Sequence, residues 1–289
     1  MMTLTDSNRR AMTIAAATLA MTCIALPIQA ADAAPASPHT LTYNASVVSQ
    51  YVSRGISQTW GRPALQLGAD YSHSSGLYAS FWSSSVTGNQ YPGSSIELDF
   101  SGGYQGKIND DLGFNIGVLK VIYPAGNFKR STTWIGAPDK NLNTVELYGS
   151  VSWKWLTAKY SHTLTDFYGW NGQTAGAGSL PGNPDAGVFA NQGTKGSGYL
   201  DLSANVDLGD GYTFNAHLGY QTIKNAVGVD YTDYKFGVTR AFDEGWNAAI
   251  ALTGTSRQAV FYNNFPGLSS PSSRDLGKGV VIASVGRVF

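Results

Sequence analysis

Tyr212-Thr-Phe-Asn-Ala-His-Leu-Gly-Tyr-Gln221 alternates apolar and polar residues without a break. In an extended chain successive side chains leave opposite faces. Tyr212, Phe214, Ala216, Leu218 and Tyr220 therefore share one side, and Thr213, Asn215, His217 and Gln221 the other. One face suits lipid and the other water, which is the pattern of a strand in a transmembrane barrel. The same rhythm recurs along the chain and runs into the terminal stretch from Gly279 to Phe289, which ends Gly-Arg-Val-Phe.

Composition supports that reading. Only 13% of residues are charged, 43% are hydrophobic and 12% aromatic, whereas a soluble domain carries about a quarter charged residues. Mean hydropathy is nonetheless slightly negative, −0.13. Lys+Arg and Asp+Glu balance at 19 each, so no electrostatic footprint for nucleic acid exists. After residue 34 no apolar run approaches the roughly 20 residues a spanning helix requires. Strands must make the crossing, at about 9–11 residues each.

Twelve such segments can be marked: Leu41–Ser53, Pro63–His73, Leu77–Val86, Ser94–Lys107, Leu112–Tyr123, Asn143–Trp155, Leu156–Phe167, Gly198–Leu208, Tyr212–Ile223, Thr232–Phe242, Trp246–Arg257 and Lys278–Phe289. The predicted architecture is an all-β, antiparallel, up-and-down transmembrane barrel. Its connections sort by length, short periplasmic turns against longer external loops. Ser74–Gly76, Asn109–Asp111, Gly209–Gly211 and Asp243–Gly245 are rich in residues that tolerate positive φ or bond their own backbone. The long set comprises Arg54–Arg62, Thr87–Gly93, Pro124–Leu142, Tyr168–Ser197, Lys224–Tyr231 and Gln258–Gly277. An even strand count puts both ends of the barrel in the periplasm.

Interfacial aromatic girdles are a further expectation. Tyr78, Phe114, Trp153, Trp155, Tyr212, Trp246 and Phe289 adjoin the periplasmic turns, and Tyr51, Tyr91, Tyr123, Phe167, Tyr220, Tyr234 and Phe261 adjoin the external loops. A soluble β-sandwich would also alternate, but long strands and sparse charge favour the barrel.

The amino end predicts export. Arg9-Arg10 precedes a small-to-apolar run from Ala11 to Ile28, followed by Ala30, Ala31, Ala33 and Ala34, the pattern of a cleaved secretory signal over 1–34 with the cut between 30 and 34. The mature barrel would span 35–289, exported through the periplasm to the outer membrane of a Gram-negative bacterium. General secretion fits better than the twin-arginine route, because a barrel must cross the inner membrane unfolded. Cys23, the sole cysteine, lies within the signal after Thr22, where a lipoprotein signal needs a small Gly, Ala or Ser. The mature chain would hold no thiol, hence no disulfide, cysteine nucleophile or thiolate metal site.

Three stretches carry a family resemblance: Tyr51-Val-Ser-Arg-Gly-Ile-Ser-Gln-Thr-Trp-Gly-Arg-Pro-Ala-Leu-Gln-Leu-Gly-Ala-Asp-Tyr71 with Ser75–Ala79, then Ala158–His162 with Thr165-Asp166, then Gly198–Leu202 with His217–Gln221. They resemble the TorF family of outer-membrane porins, also described as the Gcw_chp domain. The resemblance spans the mature chain and implies an even-stranded barrel with a channel role, without a catalytic residue set. Arg287 departs from the usual barrel-assembly signal, where an apolar side chain is commoner, and is expected to snorkel to the interface.

Pore residues follow from the same alternation. Arg54-Gly55 reads as the end of an ascending strand, with Ser57, Gln58 and Thr59 in a compact external loop before Pro63. Arg54 or Arg62 could project into the mouth and bias permeation toward anions; alternatively Arg54 and Gln58 tie the loop to the rim. The inward polar faces are expected to carry Asp70, Glu97, Asp99, Glu146, Asp201, Asp207 and Asp233 against Lys154, Lys159 and Lys235, with His217. An acidic upper ring would favour cations, while Lys129, Arg130, Lys140, Lys195, Lys224 and Arg274 in the loops would oppose it. Interior salt-bridge networks are an equal and compatible reading.

The expected function is passive diffusion of small hydrophilic solutes or ions through a polar-lined lumen, narrowed by side chains or by an infolded Tyr168–Ser197 loop. The alternative is a plugged structural barrel or a surface-binding adhesin. Catalysis is disfavoured: His73 with Ser75 sits at a turn, and Ser161 and His162 point to opposite faces, each without an orienting third group. No cofactor or metal is implied, and Asn183-Pro-Asp-Ala-Gly187 reads as a Pro-Asp turn rather than a calcium loop. Expected partners are outer-membrane lipids, the barrel-assembly machinery through Phe289, and the permeating solutes.

Overall fold

Alternation becomes a closed wall in the structure, a computed structural model that describes residues 37–174, 188–189, 192–256 and 260–289. The signal segment lies outside the described residues. Twelve antiparallel strands form the barrel: β1 (His39–Val48), β2 (Ala64–His73), β3 (Leu77–Ser85), β4 (Ile96–Lys107), β5 (Leu112–Ile122), β6 (Thr144–Trp153), β7 (Leu156–Thr163), β8 (Gly198–Gly209), β9 (Tyr212–Thr222), β10 (Tyr231–Ala241), β11 (Trp246–Thr255) and β12 (Val280–Val288). Each pairs with its neighbours in sequence, and β1 closes on β12 with Ser46 opposite Gly286. Closure leaves no edge whose backbone groups would face lipid unpaired.

Five tight turns join strands at one end. The Asp210-Gly211 turn has both residues at positive φ, 50° and 77°, the primed geometry that matches strand twist. At Ile108–Asp111 the Asn109 side chain accepts the amides of Asp111 and Leu112, at 3.0 and 2.9 Å. The remaining turns are Ser74–Gly76, Lys154-Trp155 and Phe242–Gly245. Lys154 takes φ 52° and lies at this tight-turn edge beside Asp111, 3.6 Å away, with its ammonium over the Trp153 ring. It is therefore not on the inner wall, contrary to the sequence expectation: the strand expected to run to Trp155 ends two residues earlier, at Trp153.

The outer surface is apolar. Leu41, Leu67, Ile116, Leu147, Leu202, Leu218, Ile250 and Val281 all point outward and are each at least about two-fifths exposed. Trp153, Trp155, Tyr212, Trp246 and Phe289 form an exposed aromatic girdle at the end with the tight turns. Arg287 settles there between the Trp246 and Phe289 rings, and its Nε donates to Glu244 O at 3.1 Å. The opposite girdle is thinner than expected. Tyr220 and Tyr234 face outward, but Tyr51, Tyr91, Tyr123 and Phe167 are buried inside the mouth, and Tyr78 also turns inward to bond Asn115 and Tyr148. The side chain of Phe261 lies outside the described residues. Alternation alone could not separate a ring that meets lipid from one that meets an infolded loop.

The outward belt predicts a strong asymmetry between faces. Leu218→Arg, at mid-strand toward lipid, should destabilise the barrel by about 2–4 kcal/mol, read by denaturant titration in vesicles, while Thr239→Arg on the inner face should cost clearly less. Equal losses would contradict the assigned faces.

Candidate functional site

The first external connection does not stay outside. β1 was expected to continue to Ser53, but it ends at Val48, and Val52-Ser53 pairs with Ile56-Ser57 in a small hairpin turned at Arg54-Gly55. Both turn residues have positive φ, 47° and 74°, a geometry glycine adopts freely. The hairpin enters the barrel and reaches the far wall: a Cβ on Gly55 would lie 2.5 Å from Asp233 Cβ on β10 and 2.8 Å from Thr255 Cγ2 on β11. Residues 54 to 60 are all buried. The compact external loop expected around Ser57–Thr59 is thus an internal plug.

Arg54 is its anchor. The side chain is only 4% exposed, and Nη2 donates to Glu146 Oε2 of β6 at 2.6 Å. Nη1 donates to Gln221 Oε1 of β9 at 3.0 Å, and the guanidinium lies 4.3 Å from the centre of the Tyr199 ring. Burial would favour a neutral guanidine, but the Glu146 carboxylate outweighs it and pushes Arg54 above its ordinary value. Gln221 is itself held by donating to Gly198 O and Thr222 O, at 2.9 and 3.0 Å. Such a charge-assisted set is strong because both partners are shielded from water.

Further contacts fasten the hairpin at the rim. The Ser57 amide donates to Leu276 O at 2.8 Å and Thr87 N donates to Gln58 O at 3.2 Å. Tyr91 OH donates to Gln58 Oε1, while Tyr91 stacks on Tyr123 with ring centres 3.8 Å apart. Glu97 on β4 accepts hydroxyls from Tyr51 and Tyr123, at 3.1 and 3.0 Å. Above the hairpin an aromatic cleft opens outward, lined by Tyr168, Trp170, Tyr231, Tyr262 and Phe265, with Arg54 at its floor.

Below the hairpin the inner wall changes character. Ser46, Asn215, Thr239, Asn247 and Ser284 line a cavity beside Lys235. His217 sits higher, its Nε2 2.6 Å from Asp233 Oδ2 and its Nδ1 3.2 Å from Asp201 Oδ2. Tyr199 OH donates to Asp233 Oδ1 at 3.0 Å. Gly219 leaves room for this cluster, since a Cβ there would fall 2.3 Å from Asp233 Oδ1. Lys159 is buried with its ammonium 4.1 Å over the Tyr148 ring.

Of the expected pore residues, Arg54, Glu97, Asp99, Glu146, Lys159, Asp201, His217 and Lys235 occupy the interior. Arg62 is exposed at the rim and does not line the cleft. Asp207 accepts from Gly209 N at 2.9 Å near the periplasmic end. What sequence reasoning missed is the inward course of Tyr51–Trp60 and the roof packed on it. The available signal was Arg-Gly between two short alternating runs, Tyr51-Val-Ser53 and Ile56-Ser-Gln58, which is itself a hairpin pattern. The loop expected to fold inward, Tyr168–Ser197, contributes Tyr168 and Trp170 to that roof; its segment Asn183–Gly187 lies outside the described residues. His73 Nδ1 and Ser75 Oγ are 2.7 Å apart at an exposed turn, where His39 is the ring neighbour. Ser161 faces inward and His162 outward beside Tyr160.

A transmembrane-type β-barrel whose outer lumen is filled by its own first loop is the class that these features define. The chain belongs to the Gcw_chp family of bacterial proteins of unknown function, whose family model matches residues 32–289. No curated protein matches it. Among solved structures, a NanC porin is similar at 12% identity and TM-score 0.48, over 86% of this chain and 98% of that one. A KdgM porin in complex with disordered oligogalacturonate is similar at 9% identity and TM-score 0.46, over 86% and 97%. An outer membrane channel from Pseudomonas putida F1 shares 11% identity at TM-score 0.40, over 91% and 100%.

Two outcomes are expected here. Arg54→Met leaves Glu146 buried without its cation and should loosen the hairpin by about 3–5 kcal/mol, seen as protease cleavage within Tyr51–Trp60 that the parent resists; an equally resistant variant would contradict the anchor role. At the rim, Asp166 is partly buried, which works against its charge, yet Asn171, Lys140 and the Thr194 amide outweigh that and hold its carboxyl below the usual range. A lowered folded value stabilises the loop above the ordinary aspartate pKa of about 3.9 and is lost as pH falls through the folded value. Thr194 amide exchange should therefore stay protected from neutral pH down to about 3.9 and open only below it, and earlier opening would count against this anchor.

Proposed function

We propose that the protein is a restrictive outer-membrane channel for passive diffusion of small hydrophilic solutes or ions. One observation carries this: below the hairpin an internal cavity carries the polar side chains of Ser46, Asn215, Lys235, Thr239, Asn247 and Ser284 inside an apolar cylinder. A merely structural barrel has no need of polar side chains around an internal cavity. Twelve strands lie between the side-chain-filled eight-strand barrels and the open sixteen-strand pores. The lumen is therefore wide enough to need a constriction, and the inserted hairpin supplies it. The resemblance to TorF porins supports the same reading.

In this mechanism solutes pass between the aromatic cleft and the lower cavity alongside Arg54, Glu146 and Glu97, down their own gradient. Diffusion of this kind asks for no cofactor and no catalytic group. Export by an amino-terminal signal, insertion guided by Phe289 and an outer-membrane location complete the proposal. The second reading, a plugged barrel, draws on the depth of burial of residues 54 to 60.

Planar-bilayer recording separates the two. The parent protein should give small discrete conductance steps, and replacement of Ser53–Ser57 by a short turn should enlarge them. A folded parent that gives no steps at high load, with steps appearing only after the hairpin is removed, would establish the plugged barrel instead.

A further inference from the structure

The sequence left two charge sets in opposition, and their positions separate them. The basic loop residues stand outside the path: Lys129 pairs with Asp139 at 3.2 Å and Lys140 with Asp166 at 3.0 Å. Arg130, Lys195, Lys224 and Arg274 are exposed to solvent or, for Lys224, at the outer rim of β9. Charges at such places are screened within about 8 Å at physiological salt.

Inside, the walls differ. On the β6–β10 side, Glu146, Asp201 and Asp233 meet Arg54, His217, Lys159 and Lys235, so carboxylates and cations nearly cancel. On the β2–β4 side the register stacks three carboxylates: Glu97 lies level with Ser84, Asp99 with Trp82, and Asp70 with Ser80 one row lower, opposite Ser101. Lys107, on the same face of β4 as Asp99, is exposed at the last residue of that strand, beside the tight turn. Glu97 has its two tyrosine donors, which support a carboxylate.

Asp99 has none. Its Oδ1 is buried and meets no hydrogen-bond donor, and neither does Oε1 of Glu146, a residue only 1% exposed. The charged neighbours of Asp99 are Glu97, Glu146 and Arg54, and Arg54 is already committed to Glu146. A buried carboxylate oxygen without a donor, Asp99 Oδ1, is a group that a positive charge would complete.

We propose that the constriction selects cations, with Asp99 as the position at which a permeating monovalent cation exchanges water for protein oxygens. Glu97 above and Asp70 below extend the same anionic track along one wall. Arg54 fixes the hairpin and does not recruit anions, because it is buried with its donors on Glu146 and Gln221. This inference rests on the channel reading.

The test is the reversal potential of the full barrel in a planar bilayer under a potassium chloride gradient. The expected result is potassium permeability exceeding chloride severalfold, falling toward equality in Asp99→Asn and partway in Asp70→Asn, with Lys129→Gln unchanged. Single-channel steps that favour chloride, or a ratio that Asp99→Asn leaves intact while Lys129→Gln moves it, would overturn cation selection and leave the channel standing. A parent with no steps at all would remove both. Heat-modifiable gel migration checks that each variant is folded before its potential is compared.

Discussion

A backbone in lipid must satisfy every amide and carbonyl from within, and the pairing of β1 with β12 is where this chain meets that demand. Without it two strands would carry open edges through hydrocarbon. Once the ring closes, alternation does the rest: one set of side chains is committed to lipid and the other to an enclosed space about twelve strands around. Everything proposed about permeation concerns how that space is filled.

The filling is asymmetric. Toward the outside, the hairpin turned at Arg54-Gly55 meets Glu146, Gln221 and Tyr199 on the far wall, and aromatic rings from four connections roof it. Toward the tight turns, short side chains such as Ser46, Asn215, Thr239, Ala249 and Ser284 leave a cavity. A buried ion pair is weak evidence of net stability, since desolvation opposes the attraction, but it is strongly position-specific. Here it selects one place for the hairpin among the many that hydrophobic contact alone would permit.

That placement also governs the electrostatics. Arg54 gives its side-chain hydrogen bonds to Glu146 and Gln221, and so makes no direct ion pair with the carboxylates of the β2–β4 wall. His217 faces two carboxylates, Asp201 and Asp233, and Lys159 and Lys235 add positive charge on the same wall. The interior is therefore not a uniform polar tube: one wall is neutralised and the other retains its charge.

Strand number, the apolar outer face and the aromatic girdle at the tight-turn end were legible in the residues, because a period of two and the turn chemistry of Asp210-Gly211 or Asn109–Asp111 are local properties. The inward direction of Glu97, Glu146, Lys159 and His217 followed from the same parity. The end of β1 at Val48, the entry of Tyr51–Trp60 into the lumen and the inward turn of Tyr78 and Tyr123 did not. An alternating segment states only that two faces differ. Whether the ring of Tyr123 meets a lipid chain or Tyr91, and whether Arg54 meets water or Glu146 ninety-two residues away, depends on which parts of the chain the closed cylinder brings across its own diameter, and only the tertiary structure decides that.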